Sequence, residues 1–405
     1  MTTISRCPVN EGAIPVLDDD PFSSEILENP LPFQERLLEA GPVAYLSKYN
    51  AYAIGRFDEL SSALSNWQEF ISGDGVSIRE LEAPKGLLQT DPPMHDAPRE
   101  VLQEILSARV LRKLRDDCMA RAIALLDAHL NGFEVGAQVE IDGVKDIAAV
   151  LPVNFFPDAS GIDEAGKDKF VDFADHNFNT AGPYNDLVKA GECKASELAQ
   201  WMVQKCQRDA LKPEGFGADI WAAADRGDIL PDHAPLLASS LIAAGVDTTI
   251  YGISGLLYGL ATNPDQWEKL KENPGLARVA FDEALRWSSP VQAMFRKTTT
   301  DVNIGGTIIP ANSRVMMSYP AANRDPRRWE NPDKFDLNRD PSGHLAFGRG
   351  VHQCVGQHAA RLQAACLLEL LIERVQSIEL VGPVEYHHNN ALRGWAAVPL
   401  RFTLC

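Results

Sequence analysis

Phe347-Gly348-Arg349-Gly350-Val351-His352-Gln353-Cys354-Val355-Gly356 sets a single cysteine in a glycine-rich stretch. Residues 354–375 behind it carry an apolar stripe, with no proline or glycine after Gly356, and predict a helix. Gly348 and Gly350 open turn conformations that a Cβ would close, so backbone N–H groups can point at the sulfur. The N-terminus of the coming helix adds partial positive charge, which favours thiolate over thiol. Gly356 has no side chain to block a flat ligand lying over the helix. A soft anionic sulfur with one clear face suits an iron porphyrin as its proximal ligand. A buried structural cysteine at a helix start would share this local pattern, so the rest of the chain has to decide.

Ala244-Gly245-Val246-Asp247-Thr248-Thr249 lies within residues 236–260, which are apolar almost all round and predict a buried central helix. Glycine, an acid and two threonines are poor residues for a helix interior. Thr248 can donate to the carbonyl of Ala244, four residues back, and open the helix there. Gly245 lets a diatomic ligand or water approach the backbone. An acid beside a hydroxyl, in a groove over iron, can deliver protons to dioxygen. The other reading of the segment is a kinked structural helix with a capped polar pocket.

Taken together, these segments resemble the cytochromes P450. Every fixed position of that family's haem loop is filled, with His352 where arginine is usual. The resemblance extends over essentially the whole chain. It implies haem b (iron protoporphyrin IX) on Cys354, with Phe347, Gly348, Gly356, Ala244 and Gly245 beside it. It implies that Thr248 stabilises the activated oxygen and that Asp247 relays protons. Asp91-Pro92-Pro93-Met94-His95-Asp96-Ala97-Pro98-Arg99 and the stretch ending at Arg296 resemble propionate-binding segments, so His95, Arg99, Arg296 and His352 form the expected propionate set. Glu283 and Arg286 stand three apart on one helical face. By resemblance they join Arg339, in Asp336-Leu337-Asn338-Arg339, in a structural triad that is not catalytic.

By the same analogy the substrate pocket takes its walls from residues 78–88, 173–184, 239–248, 291–295 and 393–396. Phe178, Ser240, Ala243, Ala244, Val291, Met294, Phe295 and Trp395 are its expected lining, which suits a small, flat, apolar substrate. The likeness is closest to a bacterial subgroup that hydroxylates or O-demethylates para-substituted benzoates. That subgroup grips a carboxylate with arginine and serines, whereas this chain has Ser239 and Ala243 at two of those places and keeps Ser240. Arg79 and Lys85 in the long loop are the remaining candidates. A neutral methoxyphenol therefore competes with a benzoate, because a buried carboxylate without partners is costly.

Composition is consistent with this. The 405 residues are 45% hydrophobic and 23% charged, an ordinary globular balance. A formal charge of −18 argues against nucleic acid and anionic membrane surfaces. Seven scattered cysteines (Cys7, Cys118, Cys193, Cys206, Cys354, Cys366 and Cys405) contain no CxxC pair, and suggest a reducing compartment rather than a disulfide framework or zinc site. The expectation is a cytoplasmic monomer of one domain over 1–405, mainly α with small β-sheets (α+β). Its helix-rich lobe covers about 95–290 and 340–376, with β-containing parts near 43–55, 295–320 and 377–405. The haem would lie between the central helix and the cysteine helix. No flavin or dinucleotide fingerprint is present, so electrons would come from a ferredoxin and its reductase, docking on Arg109, Arg324, Arg327, Arg328 and Arg349. The substrate partners would be O2 and a small aromatic. A terpene-like substrate, a peroxygenase or isomerase, and a non-catalytic haem sensor are the competing readings; the intact Asp247–Thr248 pair and the lack of an added regulatory domain weigh against the last two.

Overall fold

The computed structural model describes residues 14–80, 86–163 and 165–405. Cys7, Lys85 and the first part of the N-terminal arm lie outside the described residues. About half of the chain is helical, and the small sheets gather toward one side and the C-terminal end.

The strands are short. β1 (Val16–Leu17), β2 (Ala44–Leu46), β3 (Ala51–Ile54) and β4 (Phe70–Ile71) come first, then β5 (Gln138–Asp142). β6 (Ala293–Thr298), β7 (Val302–Ile304), β8 (Thr307–Ile309) and β9 (Arg314–Ser318) follow the helices. β10 (Val375–Leu380), β11 (Glu385–His388), β12 (Arg393–Ala397) and β13 (Pro399–Leu404) close the chain. One sheet runs β1-β2-β3-β9-β6-β4, and another β10-β13-β5. The alternation of apolar and polar residues over 43–54 predicts a hairpin around Lys48-Tyr49-Asn50, and β2 and β3 form it, with Asn50 left-handed at φ 48°.

Seven helices carry the site: α1 (Asp96–Ile105), α2 (Val150–Ala159), α3 (Asp168–Asn179), α4 (Ala234–Gly245), α5 (Asp247–Thr262), α6 (Ala277–Ser288) and α7 (Gln357–Arg374). The expected single helix over 236–260 is two, broken at Val246. The break has the anticipated cause: Thr248 Oγ1 donates to Ala244 O at 2.6 Å. Ile253, Leu256, Leu257 and Leu260 are fully buried, which makes α5 the axis of the largest core cluster. Residues 231–262 are long and apolar enough to span a membrane, yet two-thirds of the most apolar window is buried inside the protein.

Three expectations shift. Residues 98–245 are not helical throughout, because Gln138-Val139-Glu140-Ile141-Asp142 forms β5 and pairs with β13. Its side chains alternate exposed and buried, a period of two. The sequence over 56–70 predicts a helix, but the helix ends at Ser65, with Asn66 as its C-cap. The cysteine helix begins at Gln357, so Cys354 precedes it in a turn.

Candidate functional site

The cysteine loop is held from several sides. Cys354 N–H donates to Phe347 O at 2.8 Å, and Gly348 N–H to Leu345 O at 2.9 Å. Gly350 has φ +75°, and a Cβ there would lie 2.3 Å from Leu64 O, so only glycine fits. A Cβ on Gly356 would meet nothing nearer than Cys354 Sγ at 3.9 Å, which leaves the face above the sulfur clear. Asp282 on α6 accepts from Arg361 Nε on α7 at 2.8 Å, and that guanidinium lies 4.7 Å over the Phe347 ring. This brace ties the loop to two helices, and sequence reading missed it.

Burial pushes the Cys354 thiol above its ordinary pKa, although the N–H groups of Gly356 and Gln357 and the charges of Arg99 and Arg361 pull it down. The donors belong to the first residue of α7 and to its N-cap, where the helix N-terminus was expected to help, and desolvation outweighs them. Metal coordination removes the proton from such a thiol outright.

Around the loop the structure gathers the four residues read as a propionate set. The His95 and His352 rings stand edge to face, 4.7 Å between centroids. Arg99 donates to Gln353 O at 2.6 Å and lies close enough to influence the Cys354 sulfur. Arg296 is 4% exposed, and its guanidinium donates to Phe295 O at 2.7 Å. His95 Nε2 and Arg99 Nε are buried without a hydrogen-bond partner, and His352 Nε2 lies 3.5 Å from Asp91 Oδ1. His352 is held below the usual histidine range by burial, opposed by Asp91. A buried guanidinium with no carboxylate on it, ringed by unmet donors, calls for a dianionic ligand. Haem propionates and a porphyrin seated on Cys354 fit this donor set.

On the opposite wall, Ala244 is exposed and Thr248 partly so, while Asp247 is 1% exposed with neither carboxyl oxygen hydrogen-bonded. Burial, reinforced by Asp175 and Asp172, raises the Asp247 pKa well above the ordinary carboxyl value. Gly245 has a packing role not anticipated: a Cβ there would press on the Phe156 ring at 3.0 Å.

Glu283, Arg286 and Arg339 meet as expected by resemblance. Arg286 is fully buried, donating to Glu283 at 2.7 and 2.9 Å and to the carbonyls of Asn323, Pro332 and Lys334. Arg339 Nε donates to Glu283 at 3.1 Å.

The pocket list divides. Phe178, Ser240, Ala243, Val291 and Met294 are all partly buried, and Val291 bridges to Leu392. Phe295 and Trp395 sit elsewhere. β6 places Arg296 and Met294 on one face and Phe295 on the other, where it stacks on Phe22 at 6.4 Å. Trp395 packs on Tyr258 at 4.9 Å, ten residues and about 15 Å along α5 from Thr248. The turn Asn389–Leu392, between β11 and β12, comes nearer the pocket walls than 393–396: Leu392 meets Val291, and Asn389 and Asn390 bond to α3. Ser239 and Ser240 donate their hydroxyls to Leu236 O at 2.9 Å and Leu237 O at 2.6 Å. Arg79 lies 5.5 Å over the Tyr184 ring, its Nε buried and unpartnered.

The expected docking arginines also divide. Arg109, Arg327, Arg328 and Arg349 are exposed. Arg324 turns inward, pairing with Asp333 and donating to Trp287 O.

A family profile described as Cytochrome P450 matches residues 218–388. Cytochrome p450 CYP199A2 of Rhodopseudomonas palustris is 41% identical over 403 residues, spanning 98% of this chain and 97% of its own. Cytochrome P450-terp of a Pseudomonas species is 31% identical over 335 residues, spanning 78% and 76%. Among solved structures, cytochrome P450 CREJ in complex with (4-ethylphenyl) dihydrogen phosphate matches with a TM-score of 0.85 at 27% identity, covering 95% of this chain and 99% of that one.

Proposed function

This chain belongs to the cytochrome P450 family and is a monooxygenase, and on that premise we propose that it hydroxylates or O-demethylates a methoxy- or alkyl-substituted phenol or benzoate. The observation that carries the haem part of the reading is the buried Arg296 guanidinium with no carboxylate on it, together with the unpartnered His95 Nε2 and Arg99 Nε and the clear space above Cys354 Sγ. Phe347, Gly348, Gly356, Ala244 and Gly245 complete the cradle. Haem b bound there supplies the redox chemistry by which O2, two electrons and two protons become one oxygen atom in a substrate C–H bond and one water. A methoxy carbon hydroxylated in this way collapses to the phenol and formaldehyde.

The chain's own residues bind, orient and move protons. Thr248 spends its hydroxyl proton on Ala244 O, so its lone pairs face the groove as acceptors. Asp247, one residue away, has its carboxyl pushed well above the ordinary value by burial, which suits it to hold and pass on a proton. Glu283, Arg286 and Arg339 fix the segment that leads into the cysteine loop and take no part in the chemistry.

Phe178, Val291, Met294 and Ala243 support a flat apolar ring, and the CREJ structure holds such a ring in a phosphate ester, (4-ethylphenyl) dihydrogen phosphate. Both serine hydroxyls at the start of the central wall already have acceptors, which favours a neutral phenol over a carboxylate. Arg79, whose Nε is buried and unpartnered, favours the acid. Electrons come from a ferredoxin and its reductase to a cytoplasmic, monomeric, single-domain enzyme. Exposed Arg109 and Arg349, with Arg112 and Lys113, offer the ferredoxin basic groups despite the overall negative charge.

Titrating the ferric protein with 4-methoxybenzoate, guaiacol, 4-alkylphenols and a terpene, while following the Soret band, tests the reading. A high-spin shift with the phenols is expected. A shift with the terpene alone would overturn the small-aromatic assignment and leave the haem site standing.

A further inference from the structure

Asp247 has an unusual setting for a buried acid. Both its oxygens lack hydrogen-bond partners, and among the described residues no cation pairs with it. The charged groups that bear on it are acids of α3, Asp175 and Asp172, the latter 3.6 Å from Lys194 Nζ. Its own helix contributes Tyr251, one turn on and on the same face. Behind Tyr251 stands β11, whose His387 ring stacks on the tyrosine with centroids 6.0 Å apart. Gly394 makes room for this contact, since a Cβ there would fall 1.9 Å from the Tyr251 ring.

His387 Nε2 lies 2.7 Å from Asp175 Oδ1. Asn389 Nδ2 donates to the same oxygen at 2.8 Å, and Asn179 Nδ2 to the other at 2.9 Å. The Asp175 carboxylate is therefore fixed in orientation. The His387 side chain is 37% exposed and the Asp175 side chain 27%, so the pair meets solvent, and the Asp175 charge bears on both Asp247 and Tyr251. His176, also on α3, feels Asp175, Glu192 and Arg79, and its Nδ1 is buried without a partner.

We infer that protons reach Asp247 from solvent through His387 and Asp175. The His387 imidazolium gives its Nε2 proton to Asp175. A proton passes on, by water or the Tyr251 hydroxyl, to the Asp247 carboxylate once Asp247 has released its own. His387 then takes a proton from solvent, so one enters for each delivered. The inference rests on the reading of Asp247 as the proton-holding acid. It makes His387 and Asp175 positioning and relay residues that touch neither substrate nor cofactor.

The test uses the full-length holoenzyme and the variants His387→Gln, Asp175→Asn and Asp247→Asn. His387→Gln keeps a donor for Asp175 and cannot carry a proton. The first readout needs no turnover: after a jump into D2O, infrared spectroscopy follows deuteration of the buried carboxylic acid, whose band is assigned by its absence in Asp247→Asn. Exchange is expected to slow by about threefold or more in His387→Gln and Asp175→Asn, with substrate-induced spin shifts unchanged. The second readout is the share of reducing equivalents recovered as product. It is expected to fall in both variants with an enlarged solvent isotope effect, by less than the ~10²–10⁴ typical of a lost general acid, and to recover with added imidazole in His387→Gln. Wild-type exchange in His387→Gln, alongside impaired turnover in Asp247→Asn, would overturn the relay alone. Unimpaired turnover in Asp247→Asn would overturn the role of the acid, and the relay with it.

Discussion

Arg296 has one backbone acceptor and no carboxylate, so the fold alone does not repay its burial. Replacing it with alanine should weaken haem retention by about ten- to a hundredfold, the worth of a charged hydrogen bond of ~1.5–3 kcal/mol; the haem-to-protein absorbance ratio during dilution measures this. Asp247 gives a prediction of opposite sign for stability. Its folded pKa is raised, so between the ordinary carboxyl value and that raised value the native state holds a proton the unfolded state has lost. Stability therefore falls as pH rises through this window. Asp247→Asn should raise the melting temperature, by the equivalent of about 1–3 kcal/mol of relieved burial, and the gain should be larger at pH 8 than at pH 4. An unchanged or lowered melting temperature at pH 8 would count against this. Thr248→Ala should leave substrate spin shifts intact and divert reducing equivalents to peroxide, measured as product formed per NADH consumed. Residue identity carried much of the site: a cysteine among glycines, and a threonine four residues after the carbonyl it bonds, can be read locally. Phe295 and Trp395 could not be placed that way. Strand parity sends Phe295 opposite to Arg296, and only the packing of Tyr258 and Tyr386 claims Trp395.

Among elements, α6 does more than its length suggests. Its Glu283 and Arg286 gather the carbonyls of Asn323, Pro332 and Lys334 and the side chain of Arg339, and its Asp282 holds the cysteine helix. Arg286→Ala leaves Glu283 buried beside one remaining arginine and should cost about 3–5 kcal/mol, read as a lower urea midpoint with early loss of haem. Arg286→Lys should not rescue it, since one ammonium cannot span a carboxylate and three carbonyls. The helical pattern and the acid–base spacing of α6 are legible in the chain. Its partner Arg361 is not, because 79 residues separate it from Asp282 and no local rule connects them. The strand β5 had a readable period of two, hidden by the helices on either side of it.

For the whole molecule, charge decides association. Against a net −18, the exposed Arg109, Arg112 and Lys113 lie within five residues of one another as a local basic exception, while Arg115 pairs with Glu369. Reversing Arg112 and Lys113 to glutamate should raise the KM for ferredoxin several-fold and flatten its salt dependence, while substrate spin shifts stay as they were. Unchanged kinetics with ferredoxin would move the docking face elsewhere. The cradle has a further consequence, which belongs to biosynthesis. His95 and Cys354 stand 259 positions apart in the chain. At ~5–20 residues per second, a ribosome needs on the order of tens of seconds to pass from one to the other. During that interval His95, Arg99 and later Arg296 are made with no sulfur to complete their ring. Until Cys354 is made, the nascent polypeptide has propionate donors but no thiolate to anchor an iron porphyrin. Yield in a host is then set by how much free porphyrin is at hand in the moments after Cys354 emerges, and starving cells of iron should deplete this protein through misfolding before it depletes activity per folded molecule.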